Sequence, residues 1–497
     1  EIDIVVRDVY VGEDLAWYQQ LANTLHTETH PGAIRDLLTI ARGDAVDAAR
    51  IYEAERVLRG QPFLNDARLV PVDCRGDTVD TRVRVRDAWT LQVGLGIGLA
   101  GGESTSSFSF EDENFFGTGK TVLLDWREDR ERTTLEFAYE DPAVFRTPWT
   151  LDVSHRELSD GSGDTLAVAY PFRRADQAWG FDARVDDADI ELDFEQSGDT
   201  AYTTRVERQQ GSVELRRLVA RDERGGWRAG FGWRRDYADY GALEAEQPAL
   251  RPPPALADRR LQGPLLSLER FNDRYKSFRN LRSIGRTEDY DLGLDARVAG
   301  GRYLDAAGDD NPWFFGLQVR HARAIGERDL LLMRLDLSGR YGEAGGLEAW
   351  YRSFAGEYYH RTSERNTVVL HAEADWRHEP DPEDELYLGG FDGLLAYPDR
   401  FRVGDRRWRV HLEDRYVSET VLFDTIQLGY TAYLEAGNIR GLDGRWGETL
   451  SSFGAGLRLG SLRSSFGSVS YLTVAVPLVD AGQADDYTFV VGSTVNF

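Results

Sequence analysis

The chain has 497 residues, with 59 Lys and Arg against 85 Asp and Glu, a formal net charge of −26. A mean hydropathy of −0.47 would suit a soluble acidic protein, but the alternating strands of a transmembrane β-barrel give the same average. So acidic a chain is poorly suited to bind nucleic-acid phosphates, no run of about 18 apolar residues offers a transmembrane helix, and the lone Cys74 excludes an internal disulfide framework or a cysteine metal cluster.

Residues 1–87 read as a small α+β domain. Ile2 to Val6 forms a strand and Asp14 to Leu25 a helix. Pro31-Gly32 breaks the chain, Gly43-Asp44 turns it, and a second helix runs from Val46 to Leu58. Its Ile51, Ala54, Val57 and Leu58 recur at helical spacing, and Gly60 stops it. Two strands follow, Ala67–Val72 and Val79–Val85. The chain opens on Glu1 with no charged-then-apolar leader, which reads as a mature form after signal-peptide removal.

From Trp89 the period changes to two and persists through residues 88–497. Trp89, Leu91, Val93, Leu95, Ile97 and Leu99 alternate with polar or small residues that include Gly94, Gly96 and Gly98. The same pattern marks Thr133–Glu140, Leu331–Ser338, Val368–Arg377 and Ile426–Glu435. Several of these segments reach the nine to eleven residues with which a tilted strand crosses a bilayer. The 50 Gly, 12 Trp and 22 Tyr fit tight turns and interfacial aromatic girdles. The fold class expected is an all-β transmembrane antiparallel barrel of at least 16 strands, up to about 22, with a wet lumen. Long loops are expected at Ala242–Asp258 and at 379–405.

Specific residues resemble the BamA/TamA superfamily of outer-membrane assembly proteins. The N-terminal β-α-α-β-β order resembles one POTRA domain. Glu113-Asn114-Phe115-Phe116-Gly117-Thr118-Gly119 is similar to the family's E-N-x-x-G-T-G turn, and Tyr139-Glu140-Asp141-Pro142 to its Y-x-D-P turn. Gly454-Ala455-Gly456-Leu457-Arg458 and Ala475-Val476-Pro477-Leu478 are similar to segments near the family's C-terminus. Leu388-Gly389-Gly390-Phe391-Asp392-Gly393-Leu394-Leu395-Ala396-Tyr397-Pro398 resembles L-G-G-x-x-x-L-R-G-Y-P, the tip of a loop that folds back into the barrel. Leu395 stands where the family has Arg, and Ala396 where it has Gly. The carboxylates that the Arg would meet remain: Glu413 in Glu413-Asp414-Arg415, and Glu435, where the family usually has Asp. Arg400 or Arg402 is expected to supply the missing cation to Glu413. Gly492-x-x-Val495-x-Phe497 resembles the family's C-terminal barrel-assembly signal.

The remaining constellations read as structure rather than chemistry. His371, Glu373 and Asp375 share a strand face while His378 has the opposite parity, so a polar lumen lining is favoured over a metal site. Ser154 and His155 point to opposite faces and do not form a hydrolase pair. The spacing of Gly94, Gly96 and Gly98 does not bind phosphate. It suits close approach inside the first strand or a weak seam with the last. Asp305-x-x-Gly308-Asp309-Asp310 could hold Ca²⁺ only if more than acidic composition supports it.

No enzyme activity and no cofactor are expected. What the resemblance implies is insertion or translocation of protein or lipid substrates. An unfolded outer-membrane protein or a lipid would be the substrate, outer-membrane lipids would surround the barrel, and a periplasmic partner would meet the N-terminal domain. The alternative is a passive pore on the same scaffold, cation-preferring if its lumen is acidic.

Overall fold

The computed structural model describes residues 2–494 apart from 13, 46, 77, 101–102, 130–131, 305–310, 343–345, 391–392, 465–468, 480–483 and 485. The N-terminal module comprises β1 (Ile2–Arg7), α1 (Trp17–Leu25), α2 (Pro31–Leu37), α3 (Ala48–Arg59), β2 (Leu64–Arg75) and β3 (Thr78–Asp87). Its sheet has the order β1-β3-β2, with β1 parallel and β2 antiparallel to β3. Ile34, Leu37, Leu58, Phe63 and Val83 form the core between helices and sheet. Asp47 caps α3 by accepting the Arg50 N–H at 2.8 Å, and Gly60 ends it. Pro31-Gly32 opens α2 rather than breaking the chain, because the fixed φ of proline fits a first helical position, where no N–H is needed.

The outer edge of β2 is blunted. The Leu69 N–H donates to the Glu55 carboxylate at 2.8 Å, the Ala67 N–H donates to Asp66 at 3.0 Å, and Pro71 has no N–H to offer. Along the outer side of β1 no loop or turn backbone hydrogen bond is made among the described residues.

The remaining strands begin with β4 (Leu91–Ala100), β5 (Glu103–Asp112), β6 (Thr121–Glu128), β7 (Thr133–Asp141), β8 (Thr150–Leu158) and β9 (Gly161–Tyr170). Longer ones follow: β10 (Trp179–Gln196), β11 (Asp199–Asp222), β12 (Gly225–Tyr240), the short β13 (Glu244–Ala245) and β14 (Arg259–Asn272). After a small hairpin of β15 (Tyr275–Arg279) and β16 (Thr287–Asp291) come β17 (Gly293–Arg302), β18 (Trp313–Ile325), β19 (Asp329–Tyr341), β20 (Leu347–Arg361) and β21 (Asn366–His378). The series ends with the short β22 (Leu386–Leu388), then β23 (Arg402–Leu422), β24 (Ile426–Gly441), β25 (Leu450–Ser461), β26 (Val469–Pro477) and β27 (Thr488–Thr494).

Twenty of these are long neighbouring strands of one antiparallel barrel sheet, with β13 and β22 as short additions. Each pairs with the next, and β27 comes to lie beside β4. Twenty falls inside the range the sequence suggested. The five alternating segments picked from the sequence lie in β4, β7, β19, β21 and β24. Their apolar parity points outward. Val93, Phe137, Leu166, Val213, Phe231 and Leu266 belong to a broad set of exposed apolar side chains, a belt far larger than soluble surfaces carry. Above it, on β10 to β14, the outward residues turn polar and charged: Asp187, Asp189, Arg205, Asp239 and Arg260.

Up-and-down order sends alternate turns to opposite rims. One rim carries the module: the His30 N–H donates to the Gly117 carbonyl at 2.8 Å, and Asp36 meets Arg146 at 3.2 Å. The turn after β5 owes its shape to Asn114, whose Oδ1 accepts the Gly119 N–H at 2.8 Å while its Nδ2 donates to Thr29 at 2.9 Å. The far rim carries the segments 241–258 and 379–401. The segment 273–292 between β14 and β17, not singled out from the sequence, folds inward from the module rim.

Candidate functional site

Two inward-folded segments meet one wall of the barrel. From the far rim the 379–401 segment is fastened at its base by ion pairs. Asp381 meets Arg340 at 2.7 Å, Glu385 meets Arg251 at 2.7 Å, and Glu383 meets Arg259. At its tip Gly389 and Gly390 take φ of +134° and +55°. A Cβ on Gly389 would lie 2.3 Å from the Pro398 carbonyl oxygen, so glycine is required there. Beyond them Leu394, Ala396, Tyr397 and Phe401 are buried against Leu386, Leu388, Ile439 and Leu450. The Tyr397 hydroxyl donates to the Ser451 carbonyl at 2.8 Å. Ala396 has no positive φ, so glycine is not needed at that position. Phe391 and Asp392 lie outside the described residues.

Glu413 and Glu435 both face the lumen and are buried there. Leu395, standing where a cationic side chain was expected, reaches Glu435 with its backbone: its N–H donates to Oε2 at 3.3 Å. Ser452 donates to the same oxygen at 3.0 Å. His411 bridges the two carboxylates, with Nδ1 3.0 Å from Glu435 Oε1 and Nε2 3.4 Å from Glu413 Oε2. Arg415 Nε donates to Glu413 Oε2 at 2.7 Å, and the Thr431 hydroxyl donates to Oε1 at 2.5 Å.

Arg400 and Arg402 do not supply the cation. Arg400 meets Glu195 at 3.4 Å, and Arg402 donates to the Glu448 carbonyl at 2.6 Å. Both sit at the far-rim start of β23, and Arg402 precedes Glu413 by about eleven residues, or about 36 Å of strand. His411 and Arg415 reach because they lie two residues either side of Glu413, on the same face. That parity was readable in the sequence.

From the opposite end the 273–292 hairpin reaches the same column. Arg415 Nη1 donates to the Leu281 carbonyl at 3.0 Å. Arg282 grips both oxygens of Glu357 at 2.8 and 2.9 Å, and Arg458 donates to the Arg282 carbonyl at 3.0 Å. Phe278 and Leu281 pack on Leu330, Tyr359 and Val369, while Ile284 packs on Val417 and Val469. The module holds the outer side of the hairpin: Arg59 meets Asp289 at 2.9 Å, and the Arg56 guanidinium lies 4.2 Å from the Tyr275 ring centre. A continuous polar chain therefore links Leu395 N–H, Glu435, His411, Glu413, Arg415 and Leu281 C=O.

Beside this column lies a cavity of about 1430 Å³. Its described lining carries eleven arginines and eight carboxylates, so the acidic lumen expected from the net charge does not hold there. Net charge counts every face of the chain, whereas the strands sort their charges by parity. Glu373 and Asp375 are taken up by Arg407 at 2.9 and 2.8 Å, and no metal-capable cluster forms among the described residues. Ser154 and His155 sit on opposite faces, His155 with Asp164 at 2.7 Å. Gly94 is overlain by the Ser109 side chain of its neighbouring strand rather than by an interior group. Gly96 and Gly98 continue β4, and Gly492 lies in β27 opposite Tyr471. Val495, Phe497 and the Asp305–Asp310 run lie outside the described residues.

No family model matches the chain, and no curated protein matches it. Among solved structures it is similar to CdiB from Acinetobacter baumannii, at 12% identity and a TM-score of 0.47, covering 94% of this chain and 72% of that one. CdiB from Escherichia coli gives 13% and 0.47, covering 99% and 76%. BamA from Haemophilus ducreyi lacking POTRA domains 1–3 gives 11% and 0.40, covering 99% and 84%.

Proposed function

We propose that this chain is a bacterial outer-membrane barrel that inserts or translocates protein or lipid substrates. Residues 1–87 would act as a periplasmic POTRA domain, and residues 88–497 as the transmembrane barrel with its lid loop. The observation that carries this reading is the polar column from Leu395 to Leu281. It ties a far-rim lid and a module-rim hairpin to one wall, an arrangement suited to a passage that opens on demand. The hold of Arg59 on Asp289 gives the module a handle on the hairpin. If the module captures an extended substrate by strand addition, β1 is the edge that suits it, because the β2 amides are already occupied. Delivery would follow through the lumen or the β27–β4 seam.

The test is reconstitution. Liposomes containing the purified chain should accelerate membrane insertion of an urea-unfolded small porin relative to empty liposomes. No acceleration overturns the reading. The second reading, a passive pore, is favoured by the size of the cavity, and a large, stable, ungated conductance in planar bilayers would support it. In that case the arginine-rich lining argues for anion rather than cation preference.

A further inference from the structure

The cavity lining is not electrically balanced. Five of its eleven arginines, Arg56, Arg173, Arg320, Arg377 and Arg458, have no carboxylate at ion-pair distance among the described residues. Only two of its eight carboxylates, Asp291 and Asp295, lack a cation in the same sense, and both are held by Asn272 near the hairpin. The other lining carboxylates are taken: Glu269 by Arg228, Glu357 by Arg282, Glu373 by Arg409, Glu413 by Arg415, Asp336 by Arg334 and Asp273 by Arg221.

Three of the uncommitted arginines stand on wall strands. Arg320 on β18 makes no hydrogen bond or ion pair among the described residues, and in the sheet register it stands between Asp295 on β17 and Arg334 on β19. Asp295 attracts it from one side while the like charge of Arg334 repels it from the other. Next along that row the small Ala355 lies opposite Arg334, and both line the cavity. Arg377 on β21 has the Trp376 carbonyl, at 3.4 Å, the face of Tyr351 and, beyond ion-pair distance, the Asp384 carboxylate. Arg458 on β25 is buried with a single carbonyl contact at 3.0 Å, and it lies opposite Tyr471. Guanidinium groups left over in this way present forked donors to planar or tetrahedral oxyanions.

We infer that the luminal chamber is a binding site for small polyanions carrying two or more carboxylate or phosphate groups, with Arg320, Arg377 and Arg458 as the receiving cations and Arg334 as their neighbour. The inference is independent of whether the barrel inserts, translocates or conducts. It is tested by calorimetric titration of the full chain in neutral detergent with sodium citrate, sodium pyrophosphate, sodium acetate and spermidine. Citrate or pyrophosphate, or both, should bind saturably and more weakly as NaCl is raised, while acetate does not saturate at the same concentrations. A preference for citrate identifies a polycarboxylate site and a preference for pyrophosphate a phosphate site, and either supports the inference.

The R320A/R377A double variant removes side chains that make no close ion pair, so it should stay folded with at most a small fall in melting temperature. It should weaken the bound anion by at least about tenfold. R458Q should weaken it in the same direction, and R68A on the exposed face of the module should leave it unchanged. No binding of citrate or pyrophosphate overturns the inference, as does unchanged affinity in the double variant or saturable spermidine binding in their place.

Discussion

The lid at 379–401 and the hairpin at 273–292 do similar work by different means. Both fold into the barrel and both end on the column through Glu413 and Glu435. The lid is held at its base by acidic residues on arginines and at its tip by an apolar cluster, and it touches the column with a backbone N–H. The hairpin has its own β-pairing, places apolar side chains on the wall, and is gripped from outside by the module. The lesson is that a segment needing unusual backbone leaves a mark in sequence, whereas one folded from ordinary conformations mostly does not. Gly389 and Gly390 belong to a dense motif because their φ values demand it, while the hairpin confines its positive φ to Asn280 and Gly285.

The strongest test of this contrast is Arg415→Ala. It strands Glu413 in a buried setting and removes the donor to Leu281, at a cost of about 3–5 kcal/mol. The melting temperature in detergent should fall, and amide exchange should quicken in both segments. Loosening of only one would break the idea of a shared column. Tyr397→Phe should cost about 1 kcal/mol by leaving the Ser451 carbonyl without its hydroxyl donor. Exchange should then rise across 386–401 and stay unchanged across 273–292.

Asp289→Asn removes one of the two carboxylate partners of Arg59, leaving Glu55, and the partly buried pair it breaks is worth up to about 1 kcal/mol. Exchange in the hairpin should rise with the lid unaffected, and the reverse pattern would contradict the assignment of the module to the hairpin. The smallest effect is pH-dependent. Burial, with Asp295 nearby, pushes the Asp291 carboxyl up to about 6. A carboxyl raised in the folded state binds protons that the unfolded chain has released. Its unfavourable charge is therefore felt in full above about pH 6 and vanishes below the unfolded value near 3.8. Asp291→Asn should raise the melting temperature slightly at pH 8 and lose that advantage by pH 3.5.

Much of the barrel is legible in the sequence, because a period of two assigns each residue a face without knowledge of its neighbours. That logic placed Glu435 in the lumen and Val93 outside. Helical spacing likewise marked α3, whose stop at Gly60 is a local signal. The partners of the carboxylates were harder. The loop motif points to Arg400 and Arg402, whereas strand parity aligns His411 and Arg415 with Glu413 on one face. Charge distribution was not legible from the total of −26, since the sum says nothing about which face each residue takes. The hairpin leaves no strand signal because Phe278, Leu281 and Ile284 recur every three residues rather than every two. They are buried by the wall they meet, through contacts distant in sequence.

The uneven strand lengths carry a geometric consequence of their own. β11 has 24 residues and β6, five strands away, has 8. With about 3.3 Å per residue and a tilt near 40°, they rise about 60 Å and about 20 Å along the barrel axis. The apolar thickness of an outer membrane is about 25 Å, so in a bilayer the molecule would be a sloping collar rather than an even cylinder. In that setting lipid would thin on the low side to meet the wall. On the high side β10 to β12 form a screen that shields the far mouth from anything arriving sideways.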